Sequence, residues 1–133
     1  MTYLLDTNFC IEIIRGRNQV AVGRITVHDA GEIAIGAITV AELEYGVATS
    51  GHTARNKIAL LQFLAPFEIL PFDSRAASRY GAVRQALESK GLVIGPMDLL
   101  IAAQALAADL VLVTNNAREF NGVPDLEVEN WTA

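Results

Sequence analysis

Short apolar runs alternating with helix-length segments constrain this chain more than any other feature. Tyr3-Leu4-Leu5, Ile33-Ala34-Ile35, Phe67–Leu70 and Leu110–Val113 read as strands, with Leu126–Val128 a weaker last one. Helices are expected at Asn8–Arg15 and Gln19–His28 around Gly16, at Thr39 to about Ala48, and at Thr53–Leu64, which Pro66 stops. A further amphipathic helix starts at Asp73 or Ser74, runs to Glu88 and ends before Gly91. Pro96 sits at the favoured first position of the next, and Met97–Ala108 is apolar nearly all round, the mark of a helix covered on several sides. Strands separated by helices pair in parallel through right-handed crossovers, which gives an open α/β sandwich. At 133 residues the chain has room for one such domain.

Composition excludes several classes. Apolar residues are 52% and charged residues 19% of the chain, too apolar for disorder. No charge-free stretch exceeds ten residues, well short of the roughly 20 that a membrane helix needs. The single Cys10 excludes an internal disulfide and a cysteine-based zinc site, and it is expected to be a buried thiol. No charged-then-apolar leader precedes Tyr3, so a reducing cytoplasm is the expected setting. Fifteen acids against ten bases leave a net charge of −5, so bulk charge will not hold a nucleic acid. The excess is local, however. Residues 1–118 hold eleven acids and ten bases, and eight of those bases are Arg, whose planar fork suits phosphate.

In open α/β sheets ligands bind outside the carboxyl ends of the strands, so the polar residues after each apolar run carry the interest. Asp6 ends the first strand, Glu42 lies early in the helix after the second, and Asp98 lies in the first turn of the buried helix. The fourth strand ends in Thr114-Asn115-Asn116, with Glu119 shortly beyond. Carboxylates converging from separate segments are how proteins hold hard divalent cations. Each acid also has a structural reading. Thr39-x-x-Glu42 is a capping box in sequence, Asp98 complements a helix dipole, and Asp6 can cap the helix that follows it. Asp73 occupies an equivalent place and is assigned no chemistry. Asn8, Asn115 and Asn116 are candidate neutral contacts on the same rim, or ordinary turn residues. His28 and His52 have no partner at metal-ligand spacing, and no phosphate-cradling glycine motif is present.

Four blocks together resemble a known family. Leu5-Asp6-Thr7-Asn8, Thr39-Val40-Ala41-Glu42-Leu43-Glu44-Tyr45-Gly46, Gly95-Pro96-Met97-Asp98-Leu99-Leu100-Ile101-Ala102-Ala103 and Thr114-Asn115-Asn116-Ala117-Arg118-Glu119-Phe120 are similar, in order, to those of the VapC toxins. These are PIN-domain ribonucleases of type II toxin–antitoxin systems, and Val128-Glu129-Asn130-Trp131 also resembles the family's ending. The resemblance implies one PIN-like domain over residues 1–133, a three-layer α/β/α sandwich on a mainly parallel sheet of about four to five short strands.

It further implies a Mg²⁺-dependent endoribonuclease, with Mn²⁺ able to substitute, acting on structured RNA of the tRNA or ribosomal RNA class. Asp6, Glu42 and Asp98 are carried over as the metal-holding acids. The fourth acidic position is where this sequence departs from many relatives: Asn115 and Asn116 stand there, and Glu119 follows. Asn8, Thr114, Asn115, Asn116 and Arg118 are the expected substrate contacts, with Arg15 and Arg17 next. Water would attack phosphorus in line and leave 5′-phosphate and 3′-hydroxyl ends. A VapB-like antitoxin and a homodimer are the implied partners, within a larger toxin–antitoxin assembly. Two rivals stand beside this reading. One is a non-catalytic module whose acidic groove takes a basic peptide; the other is a phosphatase using Asp6, which would need Asp where Asn8 stands.

Overall fold

The computed structural model describes residues 1–132. Strand β1 (Tyr3–Leu5) leads into α1 (Thr7–Ile14) and α2 (Gln19–Thr26); a 3₁₀ turn at Ala30–Glu32 then enters β2 (Ile33–Gly36). Helices α3 (Ala37–Ala48) and α4 (Thr53–Leu64) precede β3 (Glu68–Leu70), and α5 (Ser74–Ser89) and α6 (Pro96–Ala108) precede β4 (Val111–Val113). The short α7 (Ala117–Phe120) and β5 (Val128–Glu129) complete the order. The five strands form one sheet in the order β3-β2-β1-β4-β5, with every pairing parallel. The expected mainly parallel sheet is thus wholly parallel.

Side chains alternate across this sheet because successive strand residues point to opposite faces. Leu4, Ala34 and Leu112 join Val83, Leu87, Leu99, Ile101 and Phe120 beneath α5 and α6. Leu5, Ile33, Ile35 and Val113 join Phe9, Cys10, Leu43, Leu60 and Trp131 on the other face. Two apolar layers on one sheet make the α/β/α sandwich. Cys10 is fully buried as expected, and burial pushes its thiol well above the ordinary range.

Helix starts follow local chemistry. Asp6 caps α1 by accepting from the Phe9 N–H at 2.8 Å, Asn18 caps α2 through the Ala21 N–H at 2.9 Å, and Asp73 caps α5 through the Ala76 N–H at 3.0 Å. Pro96 opens α6 behind Gly95, as read from the sequence. The capping box expected at Thr39 does not form. Helix α3 begins at Ala37 behind Gly36, so Thr39 already lies inside the helix and Glu42 is free of that role. Position 36, where β2 turns into α3, has no room for a side chain: the Gln104 amide fills the space, and a Cβ would lie 2.0 Å from Gln104 Oε1. Gln104 Nε2 is held there by the carbonyls of Leu70 and Pro71 at 2.9 and 3.0 Å.

Among the described residues no helix is long and apolar enough to cross a membrane.

Candidate active site

Helices that return between parallel strands start at the strands' carboxyl ends, so one edge of the sheet collects both strand ends and helix starts. The strand order reverses between β1 and β4, and Asp6 and Thr114 are the residues that leave those two strands. Backbone bonds continue past both: the Asp6 N–H donates to Val113 at 2.9 Å, and the Thr114 N–H donates to Glu129 at 3.0 Å. Both residues are therefore rigidly placed.

Asp6 is 2% exposed. Burial drives its carboxyl up to about 6, against the lowering effect of hydrogen bonds from Thr114 and the Phe9 N–H; the charges of Glu42 and Glu119 push it further up. Asp98, half-buried in the first turn of α6, is driven to about 7. Burial is again the first cause, followed by a hydrogen bond and charge repulsion from Glu119 and by the charges of Asp6 and Glu42. The charges of acids from three other segments are therefore felt at Asp98, on this edge. Asp6 keeps its capping role as well; the two functions coexist in one side chain.

The other expected residues take distinct places. Glu42, Asp98, Asn8 and Thr7 line one cleft with Gly95, Pro96 and Met97. Asn115 and Asn116, which follow β4, are half-buried and do not line this cleft, and Arg118 and Glu119 are exposed on α7. Arg118 forms no ion pair among the described residues. Thr114 is fully buried, and its hydroxyl accepts from the Asn116 N–H at 2.9 Å. It sits under the rim and braces it. His28 stacks on Trp131 at 5.0 Å and pairs with Glu32 at 3.2 Å, away from these acids.

Sequence reasoning missed Thr7 and the true setting of Thr39. The Thr7 hydroxyl donates to Glu42 Oε1 at 2.5 Å and lies 3.2 Å from the Thr39 hydroxyl. A threonine beside a helix start is common enough that nothing in the pattern marks it.

The donor set fits a hard divalent cation: every candidate ligand is oxygen, and Asp6 and Asp98 are raised chiefly by burial and further by the neighbouring carboxylates, which a cation would offset. Among the described residues, no three acidic, histidine or cysteine side chains already stand in a ready ligand sphere. Phe9 N–H engages Asp6, Thr7 engages Glu42, and Asp98 and Glu119 engage each other. The phosphatase reading fares worse, because a nearly buried Asp6 engaged in capping α1 is poorly presented for attack.

Comparison with known proteins gives the same direction. The PIN domain model matches residues 3–126. The chain is 42% identical over 132 residues to Ribonuclease VapC2 of Rickettsia felis, covering 98% of each protein. It is 36% identical over 131 residues to the tRNA(fMet)-specific endonuclease VapC of Salmonella typhimurium, again covering 98% of each. Among solved structures, a chain of VapBC2 from Rickettsia felis bound to a promoter DNA fragment superposes with a TM-score of 0.93 at 41% identity, covering 98% of this chain and 99% of that one. With its fold, its acidic edge and these relatives in agreement, the chain belongs to the PIN-domain family, in the VapC group.

Proposed function

We propose that this protein is the toxin of a type II toxin–antitoxin pair and a Mg²⁺-dependent endoribonuclease. The observation that carries the reading is the mutual influence of Asp6, Glu42, Asp98 and Glu119 at the sheet's carboxyl edge. Buried and mutually repelling carboxylates are unfavourable without a counter-charge, and a cation among them supplies one.

Asp6, Glu42 and Asp98 would hold Mg²⁺ or Mn²⁺, with Glu119 filling the fourth acidic position from the next turn. When bound, the ion supplies positive charge that offsets the phosphodiester's own charge and makes water a stronger acid. The chain's residues do the rest. The buried Asp6 is held by the Phe9 N–H, so it does not have to be ordered when RNA arrives. Arg118, exposed on α7 next to Glu119 in sequence, would meet a phosphate oxygen. Asn8, Asn115 and Asn116 offer neutral contacts on the rim, braced from below by Thr114. Water attacks phosphorus in line, leaving 5′-phosphate and 3′-hydroxyl ends.

RNA of the tRNA or ribosomal class is the proposed substrate, in keeping with the tRNA(fMet) specificity in the name of the Salmonella relative. A VapB-like antitoxin is the proposed partner, supported by the VapBC complexes among the structural neighbours. A groove lined by Ile11, Ile14, Leu43, Val47 and Leu60 reaches Glu42, so an apolar segment lying there can bring a basic side chain to the acids. A homodimer within the larger assembly, in the cytoplasm, completes the reading.

Purified protein is expected to cut RNA with Mg²⁺ and to stop in EDTA, leaving 5′-phosphate ends. Expression is expected to arrest growth, with rescue by the neighbouring antitoxin gene and loss of arrest in Asp6→Asn. Cutting that persists in chelator, or cyclic-phosphate products, would sink the metal-dependent hydrolysis. Growth arrest undiminished in Asp6→Asn would favour the non-catalytic module.

A further inference from the structure

Glu42 stands at a boundary. Its side chain lines the acidic cleft with Thr7, Asn8 and Asp98, and it also lines the apolar groove between α1, α3 and α4, where Arg15 is a neighbour. Three rotatable bonds separate its carboxylate from the helix, and the opposite charge of Arg15 draws it toward the groove. Something must decide between the two sides.

We infer that Thr7, backed by Thr39, is the positioning residue that holds Glu42 in the acidic cleft; the inference rests on the nuclease reading above. The Thr7 hydroxyl donates to Glu42 Oε1 at 2.5 Å, the length of a hydrogen bond to an ionised acceptor. Thr7 has one hydroxyl proton, and the carboxylate takes it. The contact with Thr39 at 3.2 Å is then completed by the Thr39 proton, which polarises the Thr7 hydroxyl further. Thr39 is 1% exposed and Thr7 9%, so both hydroxyls are largely withdrawn from water.

Chain geometry makes the device compact. Thr39 and Glu42 are three apart on α3 and share a face, and Thr7 is the first residue of α1. Thr7 also follows Asp6 directly, so one turn of backbone sets Asp6 through the Phe9 N–H and Glu42 through the Thr7 hydroxyl. Their relative placement is fixed by a single segment. One Glu42 oxygen is occupied in this way and the other is left for a ligand.

Partners that orient a metal's ligands typically change metal affinity or activity by about 10–100-fold when removed. Thr7→Val keeps the shape and removes the donor; Thr7→Ser keeps the donor. Thr7→Val is expected to lower Mn²⁺ affinity, measured by calorimetry without RNA, by about tenfold or more, and to lower kcat for RNA cleavage with KM little changed. Thr7→Ser is expected to stay within about threefold of wild type on both, and Thr39→Val to fall between. Thr7→Val with wild-type Mn²⁺ affinity overturns the proposal, as does Thr7→Ser failing as badly as Thr7→Val. If Thr7→Val does not fold, Thr39→Val decides, and wild-type Mn²⁺ affinity there overturns the relay. Wild-type protein that neither binds Mn²⁺ nor cuts RNA overturns the nuclease reading instead. Glu42 placement is then judged by a crystal structure of the folded variant, where an unmoved carboxylate overturns the inference.

Discussion

Asp98, in the first turn of α6, has Glu119, on α7, as its most influential acidic neighbour: after burial, Glu119 is the next cause that holds the Asp98 carboxyl up. Protons are thus favoured on Asp98 and on Asp6, which makes the folded protein a stronger base than its unfolded chain. Both aspartates are raised from 3.8, Asp6 to about 6 and Asp98 to about 7. The native state therefore binds more protons than the unfolded state between roughly pH 4 and 7, and stability falls as pH rises through that window. For the buried Asp6 the shift corresponds to about 3 kcal/mol; Asp98 is too exposed to convert. Thermal melts in EDTA are expected to show a Tm that drops from about pH 5 to about pH 7.5, with a shallower drop in Asp98→Asn. Equal slopes in the two proteins would show that the pair is unstrained.

A divalent cation should reverse that loss. Binding to the native state alone stabilises it by mass action, by about 2.7 kcal/mol at a hundredfold excess over Kd. Adding Mg²⁺ at neutral pH is expected to raise Tm in wild type and hardly at all in Asp98→Asn. Calorimetric melts with Mg²⁺ titrated against EDTA measure it, and a rise of the same size in the variant would place the ion elsewhere.

Activity and stability should separate at Asp98. Asp98→Asn removes a charge from a crowded site, so it is expected to raise Tm above about pH 7 while lowering RNA cleavage by about 100-fold or more. Asp73→Ala supplies the contrast. Its carboxylate caps α5 and is held below the ordinary range by the Ala76 N–H, so its loss is expected to lower Tm and leave cleavage unchanged. Comparing the two by melt and by RNA assay separates a working acid from a cap.

Gly36→Ala drives a methyl to 2.0 Å from Gln104 Oε1, in a place where neighbouring carbonyls pin the amide. A loss of about 1–3 kcal/mol is expected by urea denaturation, the usual range for overpacking. Gln104→Ala in the same chain is expected to recover part of it, because residues in contact are not additive. Strict additivity in the double mutant would show that the two do not meet.

Trp131 is fully buried against Phe9 and Tyr3, stacked with His28, and its indole N–H donates to Glu129 at 2.9 Å. Trp131→Ala is expected to cost about 3–5 kcal/mol, read from the shift of the denaturation midpoint. Being the only tryptophan, Trp131 should also give a blue-shifted emission that reddens on unfolding. Native emission at the wavelength of free tryptophan would contradict its burial.

Sequence alone determined the alternation of strands and helices, the position of Pro96, the cap at Asp73 and the acids that belong to the carboxyl edge. These are short-range properties: side-chain period, backbone restriction and local hydrogen bonding are written in neighbouring residues, and a parallel sheet then leaves little choice about which ends gather. Tertiary structure decided what no neighbouring residues encode. Glu42 looked like half of a capping box, but the helix starts at Ala37, two residues before Thr39, behind a Gly36 packed against Gln104 from α6. Thr7 gained its meaning only when α1 packed on α3 and brought its hydroxyl to Glu42. The pairing of Asp98 with Glu119, and the protons it retains, likewise arise from burial and charge at close range, which only the folded chain sets.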